Sequence, residues 1–185
     1  GGGDSGGVFR GCANLKSLNI PEGVTDIPAY MASNCGIEEL SLPSSVTRIG
    51  GYAFINCTNL KSVSIPSGAS VGGFAFQGCT SLESVVIPEG VTTVGEGAFL
   101  NCSALKAVKI PSTWTVIQKS TFNGCAAMET LELPQTLTTI SRYSFTGCKS
   151  LKELTIPGSV KEVGYESFSK CSALETLNVS EGVEK

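Results

Sequence analysis

The sequence predicts a solenoid of about eight repeats of 22–23 residues, built mainly from short parallel strands, and two periodic features carry this prediction. Cysteines are spaced 22 or 23 residues apart, at Cys12, Cys35, Cys57, Cys79, Cys102, Cys125, Cys148 and Cys171. Prolines recur with the same period, at Pro21, Pro43, Pro66, Pro88, Pro111, Pro134 and Pro157. A constant interval of this length is typical of arrays in which each unit stacks on the next. The 185 residues are therefore interpreted as one repeat array.

Each repeat is predicted to begin with a short strand that buries one face. Val63 and Ile65 alternate with Ser62 and Ser64, and Leu60 precedes them on the apolar side. Such alternation is typical of a strand with one buried and one exposed face. The proline that follows has no N–H to donate to a ladder and ends the strand.

A second alternating segment follows the proline in each repeat. It is Val46-Thr47-Arg48-Ile49 in one unit, and it recurs at residues 91–94 and 137–140. These segments predict a second, narrow parallel sheet on the outer side of the solenoid.

The last part of each repeat lacks alternation and is predicted to be a helical turn whose phenylalanine enters the core. The phenylalanine recurs at Phe9, Phe54, Phe76, Phe99, Phe122, Phe145 and Phe168. Ala32 replaces it once, and Met31 beside it is expected to fill the gap. Glycine or asparagine precedes most of the cysteines, and both tolerate the left-handed conformation that ends helical turns. Trp114 stands at a core valine position and is interpreted as structural.

These segments together resemble a known repeat family. The pattern L-x-x-L/V-x-I-P followed by I-G-x-x-A-F-x-x-C is similar to the BspA-like (Treponema pallidum type) leucine-rich repeats, over residues 8–183. The resemblance implies a right-handed, curved leucine-rich repeat solenoid of the α/β type with a concave parallel sheet. It also implies a cell-surface or secreted protein that functions in adhesion and protein binding, without enzyme activity.

The predicted domain organisation is simple. Residues 1–7 are rich in glycine and are expected to form a flexible leader, and residues 8–185 form a single repeat domain. Arrays normally end in polar capping repeats. None is visible in the sequence, which is the basis for expecting a fragment of a longer array.

Composition argues against several classes of function. Thirteen basic and sixteen acidic residues are scattered without a basic stripe, so no nucleic-acid partner is expected. No apolar run approaches the roughly 18 residues of a membrane span, so no membrane insertion is expected, and no signal peptide is present. Residues 3–7 match the G-D-S-G-G motif of trypsin-like proteases, but the chain has no histidine to complete a catalytic triad. No catalytic residue, cofactor or metal ligand is therefore assigned.

The cysteine column is interpreted as a ladder of reduced, buried thiols at all eight positions. Equivalent residues in stacked repeats lie about 4.7–4.9 Å apart with parallel side chains. A disulfide needs Cβ atoms about 3.5–4.5 Å apart that face each other. A linear column without histidine also cannot form a tetrahedral zinc site.

Two sets of residues are candidates for contacts with partners. Tyr30, Tyr52 and Phe74, with Tyr143 later, lie two positions before the core ring and are predicted to point away from the core, as a binding surface. The alternative is that they pack the outer turns together. The second set is a column in which charge alternates, namely Lys16, Glu38, Lys61, Glu83, Lys106, Glu129, Lys152 and Glu175. Stacking one chain on another through Lys16 and Glu175 would continue this alternation, which predicts weak head-to-tail self-association.

The leading functional hypothesis is a protein-binding or adhesion module, extracellular or on the cell surface, whose ligand is a protein, such as a host extracellular matrix or surface protein. One alternative is a structural spacer or self-assembling scaffold element. Another is a carbohydrate-binding surface, for which exposed aromatic rings would serve.

Overall fold

The structure is a computed structural model that describes residues 7–183. Most of the predicted glycine-rich leader, including most of the G-D-S-G-G match, lies outside the described residues. The described chain forms a parallel-strand solenoid. Each turn of the solenoid contributes one strand to a concave sheet, and most turns add a shorter strand on the outer side. These two strand positions correspond to the two alternating segments of each repeat in the sequence.

The strands of the two sheets alternate along the chain. The concave strands are β1 (Ser17–Asn19), β3 (Glu39–Ser41), β5 (Ser62–Ser64), β7 (Ser84–Val86), β8 (Ala107–Lys109), β10 (Thr130–Glu132), β12 (Glu153–Ile156) and β14 (Thr176–Val179). The outer strands are β2 (Asp26–Ile27), β4 (Arg48–Ile49), β6 (Ser70–Val71), β9 (Val116–Ile117), β11 (Thr139–Ile140) and β13 (Glu162–Val163). Concave strands pair with concave strands, and outer strands pair with outer strands. Every such pairing is parallel and joins equivalent positions of neighbouring repeats. The predicted second sheet is thereby confirmed.

Burial follows the predicted alternation. In β5 the central Val63 is buried while Ser62 and Ser64 are exposed, and the same pattern holds in β1, β7, β8 and β10. The outward positions of the concave sheet therefore present mostly small polar side chains.

Neither sheet is continuous along the described residues. The concave ladder is interrupted between β3 and β5 and again between β10 and β12. At both places the outer strands remain paired, through β4 with β6 and through β11 with β13. The outer pairing is in turn interrupted after Val94, where β7 and β8 pair on the concave side. Every junction between the repeats that contain β1 to β14 is thus held by paired strands on at least one side.

The segment before each cysteine is a run of tight turns, and the prediction of helical turns is wrong within the described residues. The N–H groups of Ala53, Ile55 and Cys57 donate to carbonyls three residues earlier. The N–H groups between them donate to the next repeat, for example from Phe54 to Ala75 O at 2.8 Å. A helix would use all of these donors internally, whereas the stacked repeat offers an acceptor to every second one.

Positive backbone φ angles explain the turn residues. Asn56 before its cysteine has φ 56°, and Gly78 in the next repeat has φ 71°, which confirms the predicted left-handed position. A second left-handed position, not predicted, lies four residues earlier, where Tyr52 has φ 59°.

The core is built around a continuous stack of phenylalanine rings. Centroids of successive rings lie 5.3 to 5.6 Å apart, with interplanar angles of 2–16°, along Phe54, Phe76, Phe99, Phe122, Phe145 and Phe168. Met31 is partly buried against this core beside the small Ala32. Trp114 is also buried, and its indole Nε1 donates to Val91 O at 2.8 Å, so its structural role is confirmed.

Candidate functional site

The cysteine column is a ladder of free thiols that hydrogen-bond to the backbone. Seven of the eight thiols, from Cys35 onward, donate to the carbonyl of the residue at the ring position of the preceding repeat, for example from Cys79 Sγ to Phe54 O at 3.3 Å and from Cys102 Sγ to Phe76 O at 3.2 Å. Six of the eight are buried. Cys12 is exposed and Cys171 is half-buried, so the prediction that all eight are buried is wrong. A thiol in this column is fully covered only where folded repeats lie on both sides of it.

Burial also controls the protonation of these thiols. Desolvation raises the pKa of Cys57 from 9.0 to about 12, and it raises the pKa of Cys79, Cys102 and Cys125 as well. Because the thiolate is the reactive nucleophile and metal ligand, neutral buried thiols are inert near neutral pH. Within residues 7–183, no group of three His, Cys, Asp or Glu side chains is arranged to hold a metal ion. The same range contains no helix that is long and apolar enough to cross a membrane.

Three of the four candidate aromatic residues come together on the surface. Tyr30 and Tyr52 are stacked with centroids 4.9 Å apart and an interplanar angle of 1°. Tyr52 and Phe74 are stacked at 5.1 Å and 16°. We refer to these three residues as the aromatic stack. All three occupy the second left-handed position of the turn, with φ of 58–59°.

The stack ends where its column changes residue type. The next position is Gly97, with φ +62°, and a Cβ atom there would lie 2.3 Å from the Phe74 ring. The Phe74 ring therefore occupies the space that a side chain at position 97 would need. Tyr143 lies further along, beyond Ser120, and packs edge to face against Tyr165 with centroids 5.8 Å apart. The structure thus separates Tyr143 from the other three candidates.

The geometry of the stack determines what it can contact. Tyr30 is 40% exposed, and Tyr52 and Phe74 are half-buried. The hydroxyl groups of Tyr30 and Tyr52 make no hydrogen bond to any other described residue. Both faces of Tyr52 are covered by its neighbours, so the stack presents ring edges and phenol hydroxyls. Binding of a sugar ring by stacking needs a free ring face, which disfavours the carbohydrate alternative at Tyr52.

The alternating charge column is only partly paired. Lys16 Nζ lies 3.9 Å from a carboxylate oxygen of Glu38, and Lys106 Nζ lies 3.0 Å from one of Glu83. Lys106 donates a hydrogen bond to the Glu83 carboxylate, and this bond raises the pKa of Lys106. The other neighbours in the column form no ion pair within 4.0 Å in the described part of the chain. Glu175 is exposed, and self-association through Lys16 and Glu175 stays a prediction.

Comparison with known proteins gives a family match over nearly the whole chain. The model of the BspA type leucine rich repeat region matches residues 5–102 and 69–185, with six copies. No match is found among curated protein sequences.

Solved structures with the same fold come from several bacteria. A leucine-rich repeat protein from Bacteroides ovatus is 27% identical with a TM-score of 0.78, and the match covers 95% of this chain and 58% of that one. The leucine-rich repeat protein of T. pallidum is 28% identical with a TM-score of 0.75, over 83% of this chain and 73% of that one. A leucine-rich cell surface protein from Faecalibacterium prausnitzii is 26% identical with a TM-score of 0.53, over 91% of this chain and 61% of that one. The chain thus spans about three fifths of the length of two of these proteins.

Proposed function

The chain belongs to the BspA type leucine-rich repeat family, and we propose that it acts as a non-enzymatic adhesion module that binds a protein ligand at the cell surface or outside the cell. The family and its surface-located structural neighbour support a protein-interaction repeat module. The stacked repeats form a rigid surface. A rigid surface loses little conformational entropy on binding, which suits this role.

The aromatic stack is the observation that carries this proposal. Tyrosine is among the residues most enriched at binding hot spots, since it offers a large rigid surface and a polar group. Tyr30 and Tyr52 hold both features on the surface, with hydroxyl groups that make no hydrogen bond to a described residue. Because no described residue occupies these hydroxyl groups, they are available to hydrogen-bond a partner.

The test uses a variant in which all three residues of the aromatic stack are replaced by serine. Serine suits this position, because Ser120 occupies the same column with φ 57°. Surface plasmon resonance should measure binding to immobilised fibronectin, fibrinogen, laminin and collagen, with Val86→Ser as the control on the concave face. Val86 is also apolar and is 57% exposed.

We expect wild type and Val86→Ser to bind at least one of these proteins with the same affinity, and the triple variant to lose that binding while remaining folded. Equal binding by the triple variant would contradict the assignment of the stack. Absence of binding to the whole panel by wild type would count against the adhesion function itself. If the triple variant unfolds, the single variant Tyr30→Ser, at the most exposed ring, gives the same test.

A further inference from the structure

The last described repeat does not use the backbone donors that hold each earlier turn to its neighbour. In every preceding turn the N–H group at the ring position donates to the next repeat, as from Phe145 to Ser167 O at 2.8 Å. The N–H group of the residue before the cysteine also donates to the next repeat in each of those turns. The equivalent N–H groups of Phe168 and Lys170 donate to no described residue. We refer to the open face of this repeat, residues 164–180, as the tail.

The first described repeat carries the matching acceptors. The carbonyl groups of Val8 and Arg10 stand at the positions that accept these bonds elsewhere, and neither accepts a hydrogen bond from a described residue. Cys12 is the one thiol of its column that does not donate to a carbonyl at the ring position. The carbonyl of Phe168, in the tail, is at that acceptor position and receives no hydrogen bond from a described residue. We refer to the open face of the first repeat, residues 8–20, as the head; head and tail are thus complementary in three hydrogen bonds.

Apolar surface is exposed on both faces. In the tail, Leu177 and Val179 of β14 are 51% and 57% exposed. The equivalent Leu154 and Ile156 of β12 are 1% and 4% exposed, because β14 lies beside them. In the head, Val8 is 69% exposed, although its position is buried in most later repeats. Stacking of one more repeat on either face would remove this apolar surface from water.

The alternating charge column selects the occupant of these faces. Each residue of the column stands beside a residue of opposite sign on the neighbouring repeat, and Lys106 and Glu83 pair in this way at 3.0 Å. Lys16 in the head and Glu175 in the tail are both exposed. A second copy of the chain, stacked in register, brings Lys16 of that copy against Glu175 and continues the alternation. Charge, hydrogen-bonding groups and apolar surface all match at equivalent positions, because both faces are made from the same repeat.

We propose that the head of a second copy of this chain stacks on the tail and continues the solenoid. In this contact, which we call the joint, β14 pairs with β1 of the second copy in the parallel register of β12 with β14, so that Leu177 lies beside Leu18. The three hydrogen bonds described above form across the joint. Each added copy leaves one head and one tail free, so the contact produces chains of increasing length rather than a closed dimer. This assembly does not depend on the adhesion function proposed above.

Analytical ultracentrifugation from micromolar to millimolar protein tests for the joint. The average mass of the wild-type chain should rise with concentration beyond that of a dimer. High salt should lower it only in part, because salt screens exposed charges but does not remove the gain from apolar burial. Val86→Ser, which replaces an exposed apolar residue far from both faces, is the control and should associate as wild type does. A wild-type chain that stays monomeric at millimolar concentration would overturn the proposal.

Two variants, each with one blocked face, identify the surfaces. Leu177→Asp blocks the tail and Val8→Asp blocks the head, since each places a carboxylate in the apolar part of the joint. Both positions are more than half exposed, so both variants should keep the fold, as circular dichroism can check. Each variant alone should be monomeric, and an equimolar mixture should form a dimer and nothing longer. Association of either variant alone, or a mixture that stays monomeric, would contradict a head-to-tail joint.

The reactivity of Cys12 locates the joint within that mixture. Cys12 of the Leu177→Asp copy lies in the joint, whereas Cys12 of the Val8→Asp copy lies on its blocked head. Addition of the Val8→Asp chain should therefore remove the reactivity of Cys12 in the Leu177→Asp chain toward a thiol reagent, because burial suppresses the thiolate. Cys12 of the Val8→Asp chain should stay reactive. Mass spectrometry distinguishes the two chains, and equal reactivity in both would place the contact elsewhere and overturn the proposal.

Charge variants test the register of the joint. Glu175→Lys should raise the Kd of the joint about twofold to fivefold, since an exposed ion pair contributes modestly. Lys16→Glu combined with Glu175→Lys should restore the wild-type Kd. Glu22→Lys should lower the Kd by a similar factor, because the register places Glu22 of the second copy against Glu181. A double variant as weak as Glu175→Lys alone would overturn the register, and with it the proposed joint.

Discussion

Removing one ring from the middle of the phenylalanine stack should remove a large share of the stability of the protein. Phe99 is fully buried, and its ring centroid lies 5.6 Å from those of both Phe76 and Phe122. Replacing a buried phenylalanine by alanine costs about 3–5 kcal/mol, from lost transfer free energy and the cavity that remains. Two stacking contacts, each about 0.5–1.5 kcal/mol, place Phe99→Ala at the upper end of that range.

Phe168 provides the internal comparison. It is half-buried, and its stacking partner among the described residues is Phe145, at 5.3 Å. With less complete burial and one stacking contact instead of two, Phe168→Ala should cost less than Phe99→Ala, by about 0.5–1.5 kcal/mol from the missing stacking contact alone.

Equilibrium urea unfolding measures both variants, with the fluorescence of Trp114 as the probe and circular dichroism as a check on two-state behaviour. Trp114 is the only tryptophan in the chain and is buried, so its emission should change on unfolding. A loss below about 1 kcal/mol for Phe99→Ala, or equal losses at Phe99 and Phe168, would refute the view that the stack is a continuous core.

Three further predictions concern the thiols and the turns. Cys12 should react with a thiol reagent in native buffer, and the six buried thiols should react only in denaturant, as counted by mass spectrometry. The contribution of the buried thiols to the free energy of unfolding should be complete below pH 9 and fall as pH rises above it, because unfolded thiols ionise near 9.0 while the pKa of Cys57 is about 12. Cys57→Ala should reduce the slope of the free energy against pH by about 1.4 kcal/mol per pH unit between those values, in urea titrations of both proteins. Gly97→Ala should cost about 1–2 kcal/mol for its left-handed backbone, plus a clash that Phe74→Ala should relieve in a double-mutant cycle. An unchanged slope, or additive losses in the cycle, would contradict the last two predictions.

Much of the candidate surface follows from the period alone. Residues one repeat apart lie beside each other in a solenoid, so Tyr30, Tyr52 and Phe74 had to be neighbours once the period was known. Their coplanar stacking and left-handed backbone were not predictable, because a tyrosine at positive φ contradicts its intrinsic preference. The N–H group of Tyr52 donates a hydrogen bond to a backbone carbonyl group of the next repeat, and this contact overrides the preference.

The interruption of the concave ladder between β10 and β12 was not predicted from the sequence, although a signal for it was present. Met128 and Leu133 break two core columns in one repeat, as Ile37 and Leu42 do in another. Each substitution is conservative by itself, and its effect on a ladder depends on how neighbouring side chains pack between repeats. The sequence alone could not assign an open junction to these changes.

The sequence by itself determined the parallel solenoid, both sheets, the inward and outward positions of the concave strands and the left-handed residue before most cysteines, because these depend on a period and on local backbone preferences. Only the tertiary structure decided that tight turns replace helical turns, that Cys12 and Cys171 are not buried, and where the two ladders are interrupted. The physical reason is the same in each case. Whether an N–H group, a thiol or a strand edge is satisfied depends on the distance and shape of the adjacent repeat, and a residue pattern gives neither.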